Sequence, residues 1–144
     1  MSSARCVFCD IASGGAPAAI VARGPEWMAF LDLRPVFPGH VLVIPTVHRE
    51  TLLDLGDDEV AKIFVASRNI ASAVTRGLGC QGTFVAMNNR VSQSVPHLHV
   101  HVVPRTKGDG LRGFFWPRSK YASDSELERH RALIAAAYEP AARV

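Results

Sequence analysis

The sequence predicts an α+β domain: an antiparallel five-stranded sheet with one long helix and a C-terminal helix. Three observations predict it. Short runs rich in β-branched and aromatic residues follow one another directly, with no intervening helices to carry parallel crossovers. A single long stretch, "DDEVAKIFVASRNIASAVTRGLG", repeats apolar residues at spacings of three and four. A second helical pattern, "SDSELERHRALIAAAYEP", closes the chain.

Taken in order, "AAIVARGPEWMAFLDLRP" reads as two strands turning at Gly24 and Pro25, and "GHVLVIP" as a third. Together they make an antiparallel meander. The long helix starts at Asp57 with acidic residues and ends in glycines, the charge and capping order a helix favours, and it should cover one face of the sheet. "GTFVAMNN" and "PHLHVHVVP" supply two more strands, and the last helix begins near Ser123 or Ser125. With 144 residues, 48% of them hydrophobic, the chain can bury one core, so the expectation is a single domain, 1–144, without a linker.

The formal charge of +3 suits a small anionic ligand, and the basic residues are scattered rather than gathered in a stripe, so no nucleic-acid partner is expected. No apolar run approaches the roughly 20 residues of a membrane helix, and "MSSARCVFCD" lacks a signal-peptide core. A cytoplasmic protein with no membrane partner is expected. In that reducing setting Cys80, in "GLGCQG", is a small filler in a turn. Cys6 and Cys9 differ, because a two-residue spacing lets both sulfurs reach one tetrahedral ion. A redox pair and two buried, unmetallated thiols are the competing readings.

"HLHVH" places His97, His99 and His101 on one side of an extended segment, with Leu98, Val100 and Val102 on the other. Three imidazoles in register are too many for an ordinary solvated face. They suit either a catalytic metal or nucleophilic catalysis by histidine, and the segment alone does not separate the two. Just upstream, Gln93 and Ser94 offer an amide and a hydroxyl, which suit phosphate oxygens better than a metal.

"QSVPHLHVHVVPR" resembles the signature of the histidine triad family. "CVFCDI", "AFLDLRPVFPGHVLVIPTVH" and "MNN" precede it in the order seen in the Hint and Fhit branches, as in zinc-containing bacterial members. The resemblance implies a nucleotide hydrolase that cleaves a nucleoside 5′-phosphoramidate or a dinucleoside polyphosphate at the α-phosphorus, through a covalent nucleotidyl-histidine. His99 would be the nucleophile, His101 a donor to phosphate or leaving group, and Gln93 and Ser94 contacts to the same groups. Asp32 would hold the ribose hydroxyls, Phe30 and Leu33 the base, and Asn88, or Asn89 in a register one residue on, would stand before the phosphate loop. Cys6, Cys9, His48 and His97 would hold a structural zinc. The resemblance also implies a purine nucleotide substrate and a homodimer with a continuous sheet.

One departure is visible: "NNRVSQ" is shorter than the family's glycine-rich loop, and Ser92 stands where glycine is usual. Two other readings compete with the hydrolase. One is a nucleotide-binding module without turnover, and the other a zinc-dependent hydrolase using the histidine cluster. In "KGDGLRGFFWPRSKY", Trp116 and Arg118 are candidates for substrate contact or for a subunit interface, while Arg105 ends a strand near a phosphate or carboxylate.

Overall fold

The computed structural model describes residues 6–112 and 118–139. The chain divides at Lys107 into two compact units. Trp116 lies outside the described residues.

The first unit contains α1 (Val7–Ala12), β1 (Ile20–Arg23), β2 (Trp27–Leu31) and β3 (Val41–Pro45). A single 3₁₀ turn, Leu52–Asp54, leads to α2 (Asp57–Leu78), and β4 (Gly82–Ala86) and β5 (Val100–Arg105) follow. The five strands form one antiparallel sheet in the order β1-β2-β3-β5-β4, which leaves β4 on an edge. The first three strands are the meander the turn residues predict.

α2 begins at the expected Asp57. Its first turn holds Asp57, Asp58 and Glu59, and the Glu59 carboxylate accepts the Gly56 N–H at 2.8 Å, satisfying one amide that has no helical partner. Gly79 ends the helix at φ 65°, the left-handed conformation that costs glycine least. Along the buried stripe Ile63, Ala66, Ile70 and Val74 pack on Val41, Val43, Leu98, Val100 and Val102. Truncating Ile63 or Ile70 to alanine would cost about 2–5 kcal/mol.

The opposite face of the sheet has its own apolar cluster, Phe8, Ile11, Met28, Phe30, Leu42 and Ile44. Phe8 and Ile11 come from α1, a helix of six residues, too short to show as a period in the sequence. α1 is therefore a helix beyond the two that the sequence predicts.

The fifth strand also differs from expectation, running from Val100 rather than Pro96. Pro96 has no N–H to donate, and the Leu98 N–H goes to the Arg49 carbonyl at 2.6 Å instead of to a strand. Side chains still alternate: Leu98, Val100 and Val102 enter the α2 core, while His97, His99 and His101 take the other side. That side is covered too, since His97 and His99 are only 0% and 4% exposed.

The second unit contains α3 (Asp124–Ala137), whose Ser123 cap accepts the Glu126 N–H at 3.1 Å. This is the helix start expected near Ser123.

Candidate active site and metal centre

A cavity of about 680 Å³ opens beside the second apolar cluster. His99, His101, Ser94, Asp32, Phe30 and Leu33 line it. The strands explain the convergence: Leu42 of β3 pairs with His101 of β5, so residues on that face of both strands look into one space. Phe30 is buried at the base and Leu33 is 87% exposed at the mouth. Asp32 accepts the Arg34 N–H on Oδ1 at 2.9 Å, an Asx turn that holds its carboxylate at the rim.

Gln93 and Asn88 are placed otherwise. The Gln93 amide accepts the Arg90 N–H at 2.8 Å and donates to the Glu50 carbonyl at 2.6 Å, and the Asn88 amide donates to the Ser92 carbonyl at 3.1 Å. Both side chains tie the short loop together, and neither lines the cavity. Arg90 and Ser92 hold φ at 70° and 62°. The loop thus adopts backbone conformations usually left to glycine, at a cost of about 1–2 kcal/mol per residue.

The imidazoles are pinned by backbone groups whose polarity is fixed. The His97 carbonyl lies 2.8 Å from His99 Nδ1 and can only accept, so His99 carries its proton on Nδ1 and keeps a lone pair on Nε2. The Pro45 carbonyl, 2.8 Å from His97 Nε2, likewise takes a proton from that atom and leaves the His97 Nδ1 lone pair free. That nitrogen points to sulfur: Cys6 Sγ lies at 3.4 Å and Cys9 Sγ at 3.6 Å, while His48 Nδ1 is 3.3 Å from Cys9 Sγ. Burial lowers the pKa of His97 and, with Cys6 beside it, pushes the Cys9 thiol up to about 11.

The four donor atoms all fall within 4.8 Å of one another. Tetrahedral zinc bound at 2.0–2.3 Å sets its ligands about 3.3–3.8 Å apart, the spacing of the three sulfur–nitrogen distances above. Two thiols and two imidazole lone pairs converging on one point are the donor set that zinc takes in closed sites. The cluster sits one residue from the cavity. Phe8, between the two cysteines in sequence, lies edge-on to His97 at 5.8 Å and to His99 at 5.2 Å.

Sequence reasoning missed His40, Phe8, Ile11 and Arg34. The last three line the cavity, and His40, 3% exposed, places Nε2 2.9 Å from His101 Nδ1. The signal for His40 was available: in "GHVLVIP", the run that predicts the third strand, it precedes Leu42 by two positions and so falls on Leu42's face. Burial, followed by the nearness of the His99 ring, lowers the pKa of His101 to about 4, so it is neutral near pH 7.

An antiparallel sheet that offers a pinned imidazole pair to a cavity, beside a four-donor cluster, defines a histidine-centred site of a small α+β protein. The chain belongs to the HIT domain family: that family's model matches residues 13–108, ending where the first compact unit ends. An adenosine 5′-monophosphoramidase of Schizosaccharomyces pombe is 34% identical over 114 residues, 78% of this chain and 83% of that one. The same organism's asymmetrical bis(5′-nucleosyl)-tetraphosphatase is 34% identical over 112 residues, 76% of this chain and 58% of that one. The crystal structure of a zinc-bound histidine triad family protein from Mycobacterium smegmatis superposes with a TM-score of 0.71 at 36% identity, covering 91% of this chain and 94% of that one. The family thus includes proteins named as nucleotide hydrolases.

Proposed function

We propose that the protein is a nucleotide hydrolase that cleaves a nucleoside 5′-phosphoramidate or a dinucleoside polyphosphate at the α-phosphorus through a covalent nucleotidyl-histidine on His99. The observation that carries this reading is the 2.8 Å contact between His99 Nδ1 and the His97 carbonyl, which leaves the Nε2 lone pair of a cavity-lining imidazole as the nucleophile. Nε2 attacks phosphorus, the bond to the leaving group breaks, and the hydroxyl of Ser94, which lines the cavity, supplies the leaving group's proton. Water then attacks phosphorus, the phosphorus–Nε2 bond breaks to release a mononucleotide and the neutral imidazole, and a proton of that water returns to Ser94. His101 stabilises the phosphoryl oxygens by donating a hydrogen bond, Asp32 takes the ribose hydroxyls, and Phe30 and Leu33 flank the base of a purine nucleotide.

Zinc on Cys6, Cys9, His48 and His97 would be structural, because four protein donors fill a tetrahedral sphere and leave no position for a reactive water. That closure weighs against the zinc-dependent hydrolase. Zinc, when bound, supplies a fixed positive charge that joins α1 to the segment before β5. The edge position of β4 supports a homodimer formed by continuing the sheet. Thiols held as metal ligands suit a cytoplasmic protein, and no helix among the described residues is long and apolar enough to cross a membrane.

The test is mass spectrometry of protein quenched at neutral pH after brief exposure to adenosine 5′-phosphoramidate. An added nucleotidyl mass on His99, lost in His99→Ala, is expected. Turnover with no adduct at any quench time would replace covalent catalysis with direct attack by water, and absence of both turnover and adduct across phosphoramidate and polyphosphate substrates would leave the binding-module reading.

A further inference from the structure

His40 lies outside every role assigned above, and both of its ring nitrogens are engaged. The Val36 backbone N–H lies 3.1 Å from His40 Nδ1. A backbone amide can only donate, so Nδ1 must accept and the proton of neutral His40 must sit on Nε2. Nε2 lies 2.9 Å from His101 Nδ1, which must therefore accept in turn. The proton of neutral His101 is left on its own Nε2. We propose that the loop from Asp32 to His40 is a positioning device, in which the Val36 amide acts through His40 to hold His101 as an Nε2–H donor towards the cavity.

The loop is built for this. Asp32 N–H donates to the His40 carbonyl at 2.9 Å and His40 N–H to the Phe37 carbonyl at 3.0 Å, so the segment closes on itself. Gly39 allows the closure: its φ is +97°, and a Cβ there would lie 2.3 Å from Leu78 Cδ1. The same loop begins at Asp32, whose Oδ2 is 3.8 Å from His40 Nδ1, so one segment carries both the rim carboxylate and the source of the donor's polarity. The His40 and His101 rings are tilted by 48° at 5.1 Å, close enough for the bond between them to fix both.

Asp32, His40 and His101 also lie close enough to suggest a second metal site. The Val36 N–H argues against it, because an ion on His40 Nδ1 would have to displace a backbone donor. On the proton reading, His101 donates to a phosphoryl oxygen without surrendering its proton, which leaves proton delivery to the leaving group to Ser94. That kinetic consequence rests on the nucleotide-hydrolase reading, whereas the polarity of the two rings does not.

The experiment is long-range ¹H–¹⁵N correlation of the histidine rings in ¹⁵N-labelled, zinc-loaded protein at neutral pH, alongside steady-state kinetics on adenosine 5′-phosphoramidate. In the wild type, His40 and His101 should both show the Nε2–H tautomer. His40→Leu removes the donor, so His101 should shift towards a mixture of tautomers, with kcat falling about 10- to 100-fold and KM little changed, less than the 10²–10³ lost when an oxyanion donor is deleted outright. His40→Gln, which keeps an N–H near the Nε2 position, should restore the His101 tautomer and most of kcat. An Nδ1–H signal on wild-type His101, metal-shifted rings on His40, or a His101 tautomer indifferent to His40→Leu would overturn the proposal. If His40→Leu does not fold, the wild-type spectrum and His40→Gln still decide it. Protein that shows the expected ring protons but turns over no nucleotide would sink the hydrolase reading and leave the polarity device standing.

Discussion

The two imidazole clusters beside β5 use the same side chain and lie one residue apart, yet their lone pairs are organised in opposite ways. Around His97 the lone pairs converge: two sulfurs and two Nδ1 atoms face one point. Around His99 they are separated, since His40, His99 and His101 each place one nitrogen on a backbone group or on the next ring, so protons alone satisfy them. Convergent lone pairs repel unless a cation sits among them, and serial ones need none. The residue type does not decide which cluster forms. Fixed-polarity backbone groups do: the Pro45 carbonyl takes the His97 proton on the side away from the thiols, and the Val36 amide meets His40 as a donor.

Substitution should separate the two clusters. The largest effect is expected from His99→Ala, which should lower kcat on adenosine 5′-phosphoramidate on the order of 10⁴-fold, while bound zinc measured by elemental analysis stays at one per chain. Loss of zinc in that variant would mean that the clusters are not independent in that direction. Cys9→Ser should do the reverse. Zinc should fall away and stability drop by about 3–4 kcal/mol, the worth of a ligand present at several hundred times its Kd, read as a fall in Tm of roughly 10–15 °C. Adduct formation on His99 at low temperature should persist in the protein that remains folded.

Asp32→Asn should raise KM about tenfold for a ribonucleotide substrate and hardly change it for the 2′,3′-dideoxy analogue, which isolates the carboxylate's contact with the ribose. A pH series addresses the serial cluster. Burial lowers the pKa of His40 and of His101, the latter to about 4, below the unfolded value near 6.5. Between those values the unfolded chain binds more protons, so the stability these rings contribute is complete above about pH 6.5 and lost as pH falls towards 4. Denaturant midpoints measured from pH 7 to pH 4 should fall in the wild type and fall less in His40→Gln. The smallest effect is expected from Ser92→Gly. Relief of the left-handed serine is partly offset by the freer unfolded chain, for a net gain of a few tenths to about 1 kcal/mol, with activity unchanged.

What could be read from the sequence follows from which interactions are local. The meander, the long helix and the alternation of His97, His99 and His101 with Leu98, Val100 and Val102 are periodicities of two and of three to four, and the structure has them. Cys6 and Cys9 announce themselves by spacing, and their meeting with His48 and His97 was reachable only through the family resemblance. α1 was hidden because six residues hold too little periodicity. The true start of β5 was hidden because it depends on where one distant carbonyl, that of Arg49, captures the Leu98 N–H. Gln93 was read from its side-chain chemistry and from the family resemblance. Its amide suits a phosphate, and here it is engaged by the Arg90 N–H of its own loop and by the distant Glu50 carbonyl. His40 went unnoticed because its importance lies in a ring across the sheet.

The four donors around His97 come from three places far apart in the chain, with 91 residues separating Cys6 from His97. A contact that closes so long a loop forms late in folding, after the sheet has brought β3 and β5 side by side. During synthesis the early cysteines emerge well before the last imidazole ligand exists. An ion captured there cannot act as a nucleus. It would act as a latch on a finished fold, slowing unfolding while leaving the folding rate nearly untouched. Protein made in a metal-starved cell would then fold normally and differ in how long it lasts.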